Sequence, residues 1–301
     1  MKKILAWACI ALMVTGGALT MAACSPTPSA SAPADPIAAS AEPTASAQPS
    51  AATETEGEFK VGLECAYAPF NWTQSTDSNG AVQISGANDY AAGYDVEVAK
   101  LIAKGLNKKL VIVKTVWEGL TPAVQSGTID AIIAGMSPTA ERKETLDFTN
   151  YYYQSNLVIV VKADGKYANA TSLADFAGAK ITAQQGTLHY TVIDQITGVA
   201  KQTASQDFPT MRVALKSGAI DGYVSEKPEG VSAQTADPSF KMIDFAADKG
   251  FQVTLDDISV SVGLKKGSDL TEQINKILAG ITDEQRAAFM ESAIKNQPAA
   301  N

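Results

Sequence analysis

Two stretches of this chain read alike, Ala123-Val-Gln-Ser-Gly-Thr-Ile-Asp-Ala131 and Ala214-Leu-Lys-Ser-Gly-Ala-Ile-Asp-Gly222, at an offset of 91 residues. Each has the form of a helix end, a glycine that stops it, and the start of an apolar strand. Such a junction also recurs by convergence in α/β proteins, so nine residues alone leave duplication and convergence evenly matched. The residues just beyond each copy shift the balance: Gly135, Met136, Ser137 and Arg142 after the first, Glu226 after the second. Ligands of open α/β sheets bind at the carboxyl ends of strands, near topological switch points. Two such lobes facing each other put Arg142 and Glu226 on opposite walls of one cleft.

Outward from the repeat, short apolar strands alternate with helical patterns, the arrangement that yields parallel α/β sheets. Phe59, Val61 and Leu63 alternate; Tyr94 to Leu106 reads as a helix, Leu110 to Val113 as a buried strand, and Thr121-Pro122 as a cap and first helical residue. Ile129 to Ala134 is the next strand, and Ser137-Pro138-Thr139 opens a helix carrying Arg142. Farther on, Leu270, Ile274, Ile277 and Ile281 form one helical stripe after Ser268, and Thr282 with Gln285 suits a capping box. The polar stretch Gln74 to Ala92 reads as a surface insertion. Asn150-Tyr-Tyr-Tyr153 reads as lobe packing or hinge.

With 301 residues, 46% apolar and 19% charged, the chain can bury a large core, which excludes a disordered chain, a coiled coil or a multispan membrane protein. Lys and Arg total 24 against 32 acids, a net charge of -8. That lacks the basic footprint nucleic acid requires, so no nucleic-acid partner is expected. The single histidine, His189, excludes two-histidine metal motifs and zinc sites built from several histidines. No Gly-rich phosphate loop appears, since Gly165-Lys166 runs into Tyr167 without the preceding glycine spacing. No metal and no cofactor are expected.

Lys2 and Lys3 precede an uncharged, mostly apolar run, Ile4 to Ala23, suited to a signal segment or one membrane-spanning helix. Gly16, Gly17 and Thr20, and the small Ala22 and Ala23 directly before Cys24, favour the signal reading. That ending resembles the lipobox of bacterial lipoproteins, with Met21 where Leu is usual, and implies lipidation of Cys24. From Ser25 to Glu58, 26 of 34 residues are Ala, Ser, Pro or Thr, with little to bury. This tether spans roughly 30 Å as a coil and roughly 100 Å as stretched polyproline. Cys65 is then the one remaining thiol and reads as a packing residue.

The stretch Trp117 to Lys143, together with Tyr67-Ala-Pro-Phe70 and Gly93-Tyr-Asp-Val-Glu-Val-Ala99, resembles the polar amino-acid-binding proteins of ABC importers, solute-binding family 3, from about Phe59 to about Lys295. The resemblance implies two Rossmann-like α/β lobes joined by two crossover strands, a periplasmic-binding-protein-like fold of type II, with the ligand in the interlobe cleft. It implies a signal peptide at 1–23, a lipidated cysteine and tether at 24–58, lobe 1 at 59–160 and 255–301, and lobe 2 at 161–254. The crossings are expected near Val160 to Lys162 and Phe251 to Ile258. It implies a monomer held by its lipid to the outer face of the cell membrane, in a Gram-positive envelope as the long tether suggests or on the periplasmic side of a Gram-negative one, capturing a free amino acid for an ABC permease and catalysing no reaction.

An α-amino acid presents a carboxylate and an ammonium, so burying it demands a fork of donors and an acceptor of opposite sign. Arg142 suits the first task, with Ser137 and backbone amides near the helix start adding donors; residue spacing alone favours a helix-surface charge paired with an acid such as Glu141, and the resemblance reverses that. By the resemblance, Glu226 receives the ammonium, where Asp is common in the family, and Gln185-Gly186-Thr187-Leu188 completes the carboxylate site from lobe 2. Tyr67 and Trp117 match aromatics that sandwich the side chain, and Phe70 lines the same wall or supports it. Gly135, Met136 and Ser137 line the cleft beside Arg142. Glu64 and Gln184 meet the tip of the ligand, which leaves lysine, arginine, histidine, ornithine and glutamine open. Two rivals stand against the receptor: a dehydratase-like enzyme using Glu64 and Glu226 as acid and base, and a surface sensor or adhesin working through an outer face.

Overall fold

A computed structural model describes residues 57–299. The expected signal segment 1–23, Cys24 and the tether as far as residue 56 lie outside the described residues. In chain order the elements are β1 (Glu58–Leu63), β2 (Ala66–Tyr67), β3 (Asn71–Gln74), β4 (Val82–Gln83), β5 (Tyr90–Ala92), α1 (Tyr94–Gly105), β6 (Lys109–Lys114), α2 (Trp117–Ser126), β7 (Ala131–Ile132), α3 (Ala140–Thr145) and β8 (Leu146–Gln154). Next come β9 (Leu157–Lys162), β10 (Lys180–Thr182), α4 (Leu188–Thr191), β11 (Ala200–Lys201), α5 (Phe208–Ser217), β12 (Gly222–Glu226), α6 (Lys227–Ala236) and β13 (Phe240–Ile243). The chain then continues through β14 (Ser259–Lys265), α7 (Leu270–Ala279) and α8 (Asp283–Asn296).

Two five-stranded sheets result, ordered β6-β1-β7-β14-β8 and β11-β10-β12-β9-β13. In each, four strands run the same way and one, β14 in the first and β9 in the second, runs against them, which makes this a two-lobed α/β fold. The repeat is a true structural repeat. Gly127 and Gly218 end α2 and α5 in the left-handed conformation, at φ 78° and 80°. The aspartates three residues later repeat one another too. Asp130 accepts the Lys60 N–H and donates its own N–H to the Lys60 carbonyl, both at 2.8 Å. Asp221 does the same with Lys180, again at 2.8 Å. Each aspartate thereby sets the register of a central parallel strand.

Several expectations shift. Helix α2 begins at Trp117, four residues before Thr121-Pro122, because Trp117, Leu120 and Val124 form its buried stripe. That burial outweighs the one hydrogen bond Pro122 removes inside the helix. The regular part of β7 is shorter than residues 129–134, although the Ile133 N–H still reaches the Gly62 carbonyl at 3.2 Å. Gln74 to Ala92 is no mere insertion: β4 and β5 join β2 and β3 in a small antiparallel sheet, and Ile84 buries against the first core. The changeover between sheets falls at residues 155–156, ahead of residue 160, because all of β9 pairs with β12 and β13. The return runs from the end of β13 to the start of β14, with Phe251 in the core of the second lobe.

Elsewhere the pattern holds. Thr139 caps α3 by accepting the Arg142 N–H, and Thr282 with Gln285 forms a reciprocal capping box. Cys65 is buried, and burial pushes its thiol up to about 12. An unreactive packing role suits that.

Gly93 is the residue on which α1 enters. Its φ is 125°, and a Cβ there would stand 2.4 Å from the Phe70 carbonyl oxygen. Gly127 also has positive φ but open space around it. Gly93→Ala is therefore expected to lose about 3 kcal/mol or more of unfolding free energy, and Gly127→Ala about 1 kcal/mol, in urea denaturation. Equal losses would contradict the packing described.

Candidate functional site

The cleft is built where the parallel strands of both lobes end. From the first lobe, β1 leads into Glu64 and β2 carries Tyr67; Trp117 starts α2; Gly135 and Ser137 come after β7; Arg142 rises from α3. From the second, Gln184 comes after β10, Thr187, Leu188 and His189 enter α4, Phe208 starts α5, and Glu226 ends β12. Tyr67, Trp117, Gly135, Ser137, Arg142, Gln184, Thr187, Leu188 and Glu226 line one cavity with His189 and Phe208, and the space left between them is about 20 Å³. That is room for about one water.

Contacts across the cleft hold it shut. The Arg142 guanidinium donates to the Ser137 carbonyl at 2.9 Å and to the Gly186 carbonyl of the opposite lobe at 3.2 Å. The Trp117 indole N–H donates to that same Gly186 carbonyl at 3.2 Å, and the guanidinium lies over the Trp117 ring, 5.1 Å from its centre. Gln184 Nε2 donates to Glu64 Oε1 at 2.8 Å. The Tyr67 ring is stacked between Phe70 at 5.0 Å and Phe208 at 4.3 Å.

Charge burial dominates the electrostatics. Burial pushes the Glu64 carboxyl up to about 7, with the Gln184 hydrogen bond pulling it partly back. Burial lowers Arg142 to about 10, which leaves it a cation at neutral pH. Glu226 is buried; Oε1 stands 3.5 Å from His189 Nε2, while Oε2 has no hydrogen-bond partner. The Tyr67 hydroxyl is likewise unpartnered. Buried polar groups are nearly always satisfied, so orphaned atoms around one cavity mark where a ligand completes the set.

A fully buried network braces this wall. Asp95 accepts from Asn71 Nδ2 and from the Tyr152 hydroxyl, each at 2.8 Å. Tyr152 in turn accepts the Gly135 N–H at 3.1 Å, and Asn71 accepts the Cys65 N–H at 2.7 Å. One carboxyl thus positions both Gly135 and the segment leading to Tyr67. Gly135 has φ 63°, and a Cβ there would meet the Tyr67 ring at 2.8 Å, so glycine is what lets that ring approach.

Not every residue read from the sequence reaches the cavity. Phe70 is wholly buried and supports Tyr67 from behind, because the ring stack places Tyr67 between it and the cleft. Met136 faces the core of the first lobe and offers only its carbonyl, to Ser261 N–H at 3.0 Å. Thr187 turns its hydroxyl back to the Gln184 carbonyl at 2.7 Å, and Ser137 turns its own to the Asp257 carbonyl at 3.0 Å. Conversely, His189 and Phe208 line the cavity although the sequence pattern did not single them out for it. The repeat contained the signal for Phe208, since extending it backward at the same offset of 91 pairs Phe208 with Trp117.

Among known proteins, the profile of the bacterial extracellular solute-binding proteins, family 3, matches residues 59–292. A Campylobacter jejuni protein named "Probable histidine-binding protein" is 34% identical over 146 residues, covering 48% of this chain and 51% of that one. The chain thus spans about half the length of the curated relatives it matches. An amino acid ABC transporter substrate-binding protein from Streptococcus pneumoniae, solved bound to L-arginine, shares 26% identity and a TM-score of 0.67 over 79% of this chain and 94% of that one. An ancestral arginine-binding protein bound to glutamine shares 29% identity and a TM-score of 0.64 over 78% and 97%.

The Glu64 shift has a stability consequence. Between the ordinary value of 4.5 and about 7 the folded chain holds a proton the unfolded chain has released, so Glu64's contribution falls as pH rises through that window and is lost above it. Glu64→Gln is expected to match wild type near pH 4 and to exceed it by on the order of 2–3 kcal/mol at pH 8, in ligand-free urea denaturation. A difference that does not change with pH would show the carboxyl to be less buried than described.

Proposed function

The chain belongs to the bacterial extracellular solute-binding proteins, family 3, and from that premise we propose that its cleft captures a free amino acid with a polar or basic side chain and delivers it to an ABC permease. The observation that carries this reading is the pairing of Arg142 with the partly unpartnered Glu226 around one interlobe cavity. Arg142 supplies a planar fork of donors for a carboxylate. Glu226 supplies a buried anion that lacks a full counter-charge and accepts an ammonium. A zwitterion satisfies both, and because the two groups belong to different lobes, it favours the closed form by the difference in its affinity for closed and open states.

Glu64 and Gln184 sit where the tip of the side chain ends. A carboxyl near 7 binds a cationic tip when ionised and donates to an amide when protonated, which fits relatives bound to arginine and to glutamine. Since the present cavity has little more than a water's room, the Tyr67–Phe208 stack has to part and the lobes have to open for the ligand to enter.

At the other end of the chain, we read Cys24 as the lipidated residue that tethers a monomer to the outer face of the membrane, with residues 25–58 as spacer. Cys24→Ser in the full chain is expected to move the protein from the membrane fraction to the medium. Retention in the membrane would sink the anchor.

The receptor reading is tested by thermal unfolding and X-ray scattering with the twenty amino acids, ornithine and citrulline. At least one polar or basic amino acid is expected to raise the unfolding temperature by mass action and to reduce the radius of gyration. Arg142→Ala and Glu226→Gln are each expected to weaken it by about 2–5 kcal/mol, roughly 30-fold to several thousand-fold. No response to any of them would overturn the reading.

A further inference from the structure

His189 is the only histidine of the chain, and the structure puts it inside the cleft. It is buried on the first turn of α4 and lines the cavity with Arg142 and Glu226. Its ring meets Phe208 edge to face at 6.4 Å, which fixes the plane in which its two nitrogens lie. Nε2 faces Glu226 Oε1 at 3.5 Å. Among the described residues the buried Nδ1 has no partner, and Glu226 Oε2 has none either.

The other charged groups nearby are already committed or stand apart. Arg142, from α3, is turned onto the Ser137 and Gly186 carbonyls. Glu229, on α6, is fully buried and is paired with Arg212 of α5 at 2.8 Å. Asp194, in the turn after α4, is paired with Lys201 at 2.9 Å. From β2, Tyr67 presents a hydroxyl that burial holds neutral. Glu64 is engaged by Gln184. Lys227, next to Glu226 in the chain, is paired with Asp244 at 2.7 Å, so among the described residues His189 is the group left at this end of the cavity to become a cation for Glu226.

Resting on the receptor reading, we propose that His189 is a ligand-contacting residue that couples amino-acid binding to a proton. When neutral, with Nε2–H toward Glu226 Oε1, it leaves Oε2 free to accept the ammonium of the ligand. When protonated, it donates through both nitrogens, repels the ammonium and supplies Glu226 with an internal counter-ion in the ligand's place. The proton comes from solvent and returns to solvent when ligand binds. A proton on the imidazole and the ammonium of the ligand therefore compete for Glu226.

The test is isothermal titration of wild type, His189→Gln and His189→Asn with L-arginine and with L-glutamine. It is run from pH 5 to 8, in pairs of buffers that differ in heat of ionisation. For wild type, affinity for L-glutamine is expected to fall on the acid side by up to about tenfold per pH unit, the limit for one competing proton, and affinity for L-arginine more steeply because Glu64 adds a second, with proton release on binding. In both variants that release is expected to vanish for L-glutamine, and to shrink for L-arginine to whatever Glu64 contributes at the cationic tip. Variants that bind with the wild-type pH profile and proton count would overturn the proposal. Absence of binding heat for both ligands at every pH, together with no response to any amino acid in thermal unfolding, would overturn the receptor reading and this inference with it. Binding that appears in thermal unfolding for another amino acid transfers the same titration to that ligand.

Discussion

A carboxylate taken out of water has to be compensated, and the cleft depends on how Glu226 meets that demand. Glu229, three residues on in α6, also has one oxygen without a hydrogen-bond partner, but its other oxygen takes the Arg212 guanidinium and the Tyr223 hydroxyl. Glu226 has a histidine edge at 3.5 Å and one oxygen with no partner. An isolated buried charge is strongly unfavourable, so a cation from outside gains at this point the interaction energy the fold has left unused. The surrounding aromatics deepen the effect, since they keep water from supplying the compensation.

The second organising fact is the approximate two-fold relation of the lobes. Lys60 and Lys180 are bonded alike to Asp130 and Asp221, and four residues farther along each strand stand Glu64 and Gln184. These two equivalent positions bond to each other across the cleft, as expected of residues near the axis relating the lobes. The same relation pairs Trp117 with Phe208, the first residues of α2 and α5, and Gly135, three residues past β7, with Glu226, the last residue of β12. Chemistry has diverged where geometry has not. One lobe uses the strand-end position for a glycine that lets Tyr67 come close, and the other uses it for the buried anion.

This explains which parts were legible in the sequence. Arg142 and Glu226 could be placed near one cleft because they follow the two copies of the repeat, at a helix start and a strand end fixed by local backbone chemistry, whereas Trp117 and Gly186 were read from the family resemblance. Helix α2 begins earlier than Thr121-Pro122 suggests because a buried tryptophan outweighs a proline's local preference, and only tertiary packing decides that. Phe70 and Met136 share the motif's sequence but face inward, and no spacing rule separates a residue that lines a cavity from one that backs it. His189 escapes because a lone histidine between Leu188 and Tyr190 has no sequence signature; its meaning comes from Glu226, 37 positions away, brought near by a parallel sheet.

The contacts that hold the cleft shut also constrain what can open it. The Gly186 carbonyl takes donors from both Arg142 and Trp117, so the closed form has an affinity of its own for the groups a ligand will use. A ligand shifts the population only by what it gains beyond those contacts. For the guanidinium the exchange is favourable, because a hydrogen bond to an ionised carboxylate is roughly twice as strong as one to a neutral carbonyl. For the Tyr67–Phe208 stack it is favourable only if the incoming side chain replaces ring against ring with a surface that also fits between them. Affinity for the main chain and selectivity for the side chain therefore have different origins. The first is a gain in charge pairing at Arg142 and Glu226, and the second is the demand that whatever parts the aromatic stack restore the packing it removes.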